Sequence, residues 1–271
     1  MKLWRTLGIS TIAVTIVAVL TMSAGCEKNS VYAPEQHVNQ AQGENEDIAI
    51  TVANMISEAG GTLDQLGDIS MLATRAGHMT LEKASDPTLK SRNAEYDSTT
   101  KTWTVFIERA KGTPEDSVWG TWTRTFTHQF RNRDGMGQKF YITNGDTAHS
   151  IAFSIVSGTG EFHSPRLSHT LTSVSSSHIA EKTHTDMITV TGTHSRSAVD
   201  TVFHKNRTRI SNHETILELN SVTGPRGSRR DLSQKVSGCI TGTHTAALQL
   251  FINGNTWYRN VKRDIDIKLG K

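Results

Sequence analysis

The chain has 271 residues, of which 35% are hydrophobic and 20% are charged, so it is long enough to fold as one large domain or two small ones. The formal net charge of +3 falls to about +1 when the two cations of an N-terminal leader, Lys2 and Arg5, are removed. A nearly neutral protein has no electrostatic basis for binding nucleic acid, and we expect no nucleic-acid partner.

Residues 1–25 have the three parts of a secretory signal peptide. Lys2 and Arg5 precede an apolar stretch from Leu7 to Met22, small residues follow, and a polar segment begins at Glu27. This order predicts a secretory leader. The apolar stretch is slightly short for a membrane span, although a retained anchor and an ordinary cleaved signal remain alternatives.

The leader ends in the sequence Ser23-Ala24-Gly25-Cys26. This SAGC segment resembles the lipobox of bacterial lipoproteins, in which small residues precede an obligatory cysteine; Ser23 departs from the leucine usual at its position. The resemblance implies cleavage before Cys26, lipid attachment to its thiol and acylation of the new N-terminus, with palmitate among the acyl chains. Membrane lipid is then a partner through acylated Cys26, because each buried CH₂ contributes about 0.8 kcal/mol to membrane binding.

The resemblance also bears on location. It implies a protein anchored in the bacterial cell envelope, and Glu27 is not the aspartate that some bacteria use at this position for inner-membrane retention. By that analogy the outer membrane is favoured over the inner membrane. If Cys26 carries lipid, the only other cysteine, Cys239, has no intramolecular partner, so no disulfide framework is expected.

Residues 26–45 are polar, contain one proline and show no periodicity, which predicts a flexible tether. Residues 46–271 are predicted to form a single β-rich domain. Its first part carries apolar residues at helical spacing, which predict two short amphipathic helices separated by Gly60-Gly61. We expect Thr62 to be the N-cap of the second helix and Gly77 to end it. The two apolar stripes are Ile48, Val52, Met55 and Ile56, and then Leu63, Leu66, Ile69, Leu72 and Ala73.

From about Glu95 onward the hydrophobic period changes to two, which is typical of strands. In WTRTFTHQF, Trp122, Phe126, His128 and Phe130 share one face and threonines occupy the other, as in a half-buried strand. Recurrent turn signals and the absence of a further helical stretch predict a mainly β fold. It is a long-stranded antiparallel meander, an open barrel or a strongly twisted sheet, with the two helices packed on it. A two-sheet sandwich is the alternative.

The C-terminal hairpin can be predicted residue by residue. A two-residue turn at Asn253-Gly254 pairs Ile252 with Asn255 and Leu250 with Trp257. This register places nearly all apolar side chains on one face, and a slip by one residue would mix the faces. The apolar face comprises Ala246, Leu248, Leu250, Trp257, Val261, Ile265 and Ile267.

A short internal echo links Val190–Ala198 and Ile240–Leu248, which share the core Thr-Gly-Thr-His. A repeated binding element would explain it. We favour a backbone reason, because a glycine inside a long strand usually marks a bulge, a bend or a close approach.

The sequence contains no recognisable catalytic or metal-binding motif. Of its 12 histidines, ten lie between His128 and His244, but they form no His-x-His or His-Glu-x-x-His pair. A sheet surface rich in Thr, Ser and His accounts for their number. Cys239 is predicted to be a buried thiol, and Asp264 and Asp266 to lie on a solvated face. We therefore predict no catalytic residue, no metal site and no cofactor.

Three functional classes remain open. The first is a non-enzymatic, membrane-anchored envelope lipoprotein that binds a hydrophobic or amphipathic ligand between sheet and helices. The second is a structural or adhesive surface lipoprotein, and the third is an enzyme that uses histidines with a metal ion. Because no catalytic motif occurs, the first two are preferred, with a slight preference for ligand binding since a curved sheet covered by a helix favours an apolar cavity.

Overall fold

The computed structural model describes residue 51 and residues 61–74, 88–182, 186–226 and 237–270. These residues form one helix and twelve strands. The elements are α1 (Thr62–Leu72), β1 (Leu89–Asp97), β2 (Thr102–Lys111), β3 (Trp119–Arg131), β4 (Gly137–Gln138), β5 (Ile142–Thr143), β6 (Asp146–Thr147), β7 (Ser150–Ser164), β8 (Leu167–Lys182), β9 (Met187–His204), β10 (Arg207–Pro225), β11 (Ser237–Ile252) and β12 (Asn255–Leu269).

The strands form one antiparallel meander. Nine strands pair in the order β1-β2-β3-β7-β8-β9-β10-β11-β12, the short β4 pairs with β3, and β5 and β6 form a separate small hairpin. The order runs from β1 to β12 without pairing these two strands to each other, so the sheet is not closed into a barrel. The mainly β, antiparallel class is confirmed. The sandwich alternative is wrong, because all long strands belong to one sheet.

The predicted pair of helices needs a correction. The described residues contain one helix, α1, and the first predicted helix lies outside them apart from Thr51, which is helical and buried. The second predicted helix is α1 itself. Its N-cap is Gly61, whereas Thr62 is already the first helical residue, and no side chain caps the helix. Gly77 lies outside the described residues.

All 11 residues of α1 are buried, including Asp64, Gln65 and Asp68. Leu66, Ile69 and Leu72 pack into the main apolar core, which the inward faces of the strands complete. Burial of a whole helix places its polar side chains inside the protein. Because buried polar groups need partners, the sheet must supply them.

Buried and less buried residues alternate along the strands as predicted, and we call this alternation strand parity. Along β3 every second residue is buried, including Trp122, Phe126, His128 and Phe130, and the intervening threonines are half-buried. The same parity buries Arg124, which its charge alone would have assigned to the surface.

The β11–β12 hairpin has the predicted register: Ile252 pairs with Asn255, Leu250 with Trp257 and Ala246 with Val261. Trp257 lies on the predicted apolar face, but 59% of its surface is exposed. Residues 255–260 of this edge strand are all exposed. Parity assigned the correct face, but it does not define where the core ends.

The two glycines of the internal echo lie where neighbouring backbone comes unusually close. A Cβ atom on Gly192 would lie 2.1 Å from the carbonyl oxygen of Ser177, and one on Gly242 would lie 2.1 Å from that of Ile216. Gly192 also has a φ of +145°, which side chains disfavour. The backbone explanation of the echo is therefore supported by both positions.

We expect Gly242→Ala to lower the free energy of unfolding by about 2 kcal/mol, because the methyl group forces β10 and β11 apart. The measurement is urea denaturation followed by circular dichroism. Gly254→Asn is the control, since Gly254 has open space around it and asparagine tolerates its positive φ. Equal midpoints for Gly242→Ala and the wild type would contradict the close-approach explanation.

Candidate functional site

The interior of the sheet is unusually polar. Six histidines and four arginines among the described residues are buried, all on inward-facing positions of the long strands. They are His128, His169, His178, His194, His213 and His244, and Arg109, Arg124, Arg196 and Arg209. Strand parity places them inside, and their contacts divide most of them into two groups, one at α1 and one between β8, β9 and β10.

The first group is a network of four ions, which we call the helix network: Asp64 and Asp68 of α1 with Arg109 of β2 and Arg124 of β3. Asp68 lies 2.6 Å from Arg109 Nη2 and 3.1 Å from Arg124 Nη1. Asp64 lies 3.1 Å from Arg124 Nη2 and 3.5 Å from Arg109 Nη1. The two carboxylates are four residues apart and so share one face of the helix. Two negative and two positive charges balance in a fully buried position.

Gln65 connects the same helix to two histidines. Its amide nitrogen donates to His194 Nδ1 at 2.9 Å, and its carbonyl oxygen accepts from His178 Nε2 at 3.3 Å. The bond to His194 assigns the neutral tautomer to that ring, because a histidine that accepts at Nδ1 carries its proton on Nε2. Burial lowers the pKa of His178 to about 4. Burial, followed by the charge of Arg196, lowers the pKa of His194 well below its usual value.

The second group, the His-Asp-His cluster, consists of His169 on β8, Asp200 on β9 and His213 on β10. Asp200 pairs directly with His169 in the β8–β9 register. His169 Nδ1 contacts Asp200 Oδ1, and His213 Nε2 lies 3.2 Å from Asp200 Oδ2. Arg196 Nη2 lies 2.5 Å from His169 Nε2. All four side chains are buried.

Charge and burial compete in this cluster. Burial by itself would raise the pKa of Asp200, but the hydrogen bond from His169 and the electrostatic effect of His169 and His213 hold it below its usual value. Burial lowers the pKa of His169 despite the neighbouring carboxylate, and burial also lowers the pKa of Arg196 to about 10. At neutral pH the cluster therefore holds an ionised Asp200 and a charged Arg196.

His244 of β11 extends the cluster. Its ring lies 5.0 Å from that of His213, and its Nδ1 is 2.8 Å from the hydroxyl of Thr215. Burial lowers the pKa of His244 to about 4. His194 and His244 are the histidines of the two Thr-Gly-Thr-His segments. Both side chains are buried, and each histidine lies two residues after the glycine of its segment.

The sequence analysis did not identify the convergence of these three residues. Among the described residues, His169, Asp200 and His213 each offer a ligand atom, and these atoms lie within 4.8 Å of one another. The available signal was strand parity, which places each residue on the inward face. The three belong to three strands and form no local motif, so a search for close spacing along the chain finds nothing.

The other candidate residues that the structure describes lie apart from the cluster. Cys26 is outside the described residues. Cys239 is half-buried rather than buried, and it contacts Asp266 at 3.5 Å, because its strand position faces outward. Asp264 and Asp266 are exposed, as predicted.

Between the described residues of α1 and of β9–β10 lies a small gap of about 10 Å³, next to Leu66, Ser70 and Val190. Such a gap is near the minimum for one water molecule and far below the size of a typical ligand pocket. A larger open groove of about 650 Å³ crosses β9–β12 and is lined in part by His213, Ala246 and Val261.

Within the described residues, no helix combines the length and the apolar character needed to cross a bilayer. Comparisons of the chain with protein-family models, with curated proteins and with solved structures found no significant match.

Proposed function

We propose that this chain is a non-enzymatic lipoprotein of the bacterial cell envelope, held on a membrane, preferably the outer membrane, by lipid on Cys26. The observation that carries this proposal is the tripartite leader that ends in Ser23-Ala24-Gly25-Cys26. The polar residues 26–45 act as a tether that lets the β domain stand clear of the lipid surface.

For the β domain, the packing favours a structural or adhesive role over a ligand between sheet and helix. Among the described residues, the gap of about 10 Å³ between α1 and β9–β10 is too small for an acyl chain. The helix network and Gln65 fill the adjoining interior with paired polar groups rather than with an apolar cavity. This arrangement agrees with a structural or adhesive protein that makes its contacts through its outer surface.

The anchor is tested by Cys26→Ala in a bacterial host, with Cys239→Ala as the matched control because it removes the only other cysteine. We expect the wild type and Cys239→Ala to sediment with membranes and to incorporate labelled palmitate. We expect Cys26→Ala to lose the label and to be released from membranes or to accumulate with its leader uncleaved. Unchanged membrane retention and unchanged mass of Cys26→Ala would refute the anchor.

Mass spectrometry of the same purified wild-type protein distinguishes the two roles. If the β domain has a structural or adhesive role, we expect the protein mass to increase only by the mass of the covalent acyl chains. A second, non-covalent lipid at one equivalent would instead favour ligand binding.

A further inference from the structure

We propose that the His-Asp-His cluster is a binding site for a divalent transition-metal ion of the zinc type, with His169 Nδ1, an Asp200 carboxylate oxygen and His213 Nε2 as ligands. This inference goes beyond the envelope role and does not depend on the lipid anchor. Two histidines and one carboxylate form a known donor set for such ions, and further positions are left for water.

The distances fit a small ion. The three ligand atoms lie within 4.8 Å of one another, and His213 Nε2 is 3.2 Å from Asp200 Oδ2. Ligands that each lie 2.0–2.1 Å from a zinc ion in a tetrahedron are about 3.3 Å apart. A shared ion therefore fits between these two atoms with little change in position.

The second observation is that His213 lacks the hydrogen bonds that a buried imidazole needs. Its side chain is fully buried, yet neither Nδ1 nor Nε2 makes a hydrogen bond with acceptable geometry. Asp200 Oδ2 faces Nε2 and is also without a hydrogen bond. Burying such groups without partners is costly, and in native proteins each case needs an explanation. An ion between Nε2 and Oδ2 satisfies both atoms at once.

Arg196 sets the conditions for binding. A guanidinium only donates hydrogen bonds, so its contact with His169 Nε2 leaves the proton of the neutral ring on Nδ1, which donates it to Asp200 Oδ1. A metal ion at Nδ1 replaces that proton. The ring then carries its proton on Nε2, and Arg196 must turn away. The arginine therefore weakens metal binding, both through its charge and through the bond it has to break.

The test uses the full-length mature protein, dialysed against a chelator and then titrated with Zn²⁺ alone. We expect one equivalent to bind, as measured by competition with a chromophoric chelator, and the thermal midpoint to rise because only the native state presents the site. Co²⁺ added in place of Zn²⁺ is expected to give the visible absorption of a tetrahedral or five-coordinate nitrogen and oxygen site, which needs no variant.

Three variants make the test specific. His213→Gln is expected to weaken Zn²⁺ binding by about tenfold or more, and His178→Gln, which removes a buried histidine outside the cluster, is expected to leave it unchanged. Arg196→Gln is expected to tighten binding about tenfold, because a glutamine oxygen accepts the Nε2 proton of His169. The proposal is wrong if the wild type binds no stoichiometric Zn²⁺ and shows no Co²⁺ absorption. Equal affinity of His213→Gln, whose folding circular dichroism checks, would also overturn it.

Discussion

Asp68→Asn is expected to lower the free energy of unfolding by about 3–5 kcal/mol, because it breaks a buried charge pair on one side only. Asp68 lies 2.6 Å from Arg109 Nη2 and 3.1 Å from Arg124 Nη1, and all three side chains are buried. The substitution leaves an uncompensated positive charge away from water. Since a domain of this kind has a total stability of about 5–15 kcal/mol, a large part of it is lost. The measurement is urea denaturation at pH 7.5.

The control for this prediction is Asp264→Asn, which makes the same chemical change on an exposed strand position and is expected to change stability by less than about 0.5 kcal/mol. A second variant replaces the whole helix network by apolar residues of similar size: Asp64→Leu, Asp68→Leu, Arg109→Met and Arg124→Met. It is expected to be more stable than Asp68→Asn, because no buried charge remains. If Asp68→Asn and Asp264→Asn have equal midpoints, the helix network does not hold α1 in the sheet.

The stability of the domain is expected to fall as the pH is lowered from 7.5 to 5. The pKa of His178 is about 4 in the folded protein, against 6.5 for an ordinary histidine, because burial disfavours the charged ring. At a pH between these two pKa values, the unfolded chain carries a proton on His178 that the native state does not carry. Protons therefore favour unfolding throughout this window, and the slope disappears below about pH 4, where the native ring is also protonated.

The expected loss between pH 7.5 and pH 5 is about 2 kcal/mol for His178. His194, whose pKa burial and then the charge of Arg196 also lower, adds to the loss in the same direction. His178→Gln removes one titrating group while keeping a polar side chain beside Gln65, so its stability is expected to depend less on pH. The same slope in wild type and His178→Gln would show that His178 is not a neutral buried histidine.

The strongest sequence signals were those in which local periodicity and tertiary packing agree. The turn at Asn253-Gly254 and the alternation beyond it were enough to assign every pair of the β11–β12 hairpin, because only one register collects the apolar side chains on one face. The second predicted helix corresponds to α1 for the same reason, since its apolar residues recur at helical spacing. The polar half of α1 was not interpreted, because a sequence does not show that a helix will be buried on all sides.

The sequence by itself determined the mainly β class, the strand faces and the place of α1, and it predicts a secretory leader with lipid attachment at Cys26. Only the tertiary structure decided that Arg109 and Arg124 meet Asp64 and Asp68, and that His169, Asp200 and His213 converge. The physical reason is register: parity assigns a residue to a face, but contacts across strands depend on how neighbouring strands slide against each other. Irregularities between Leu171 and Ser173 and between Leu219 and Val222 shift that register in β8 and β10, and their positions depend on packing across the whole sheet.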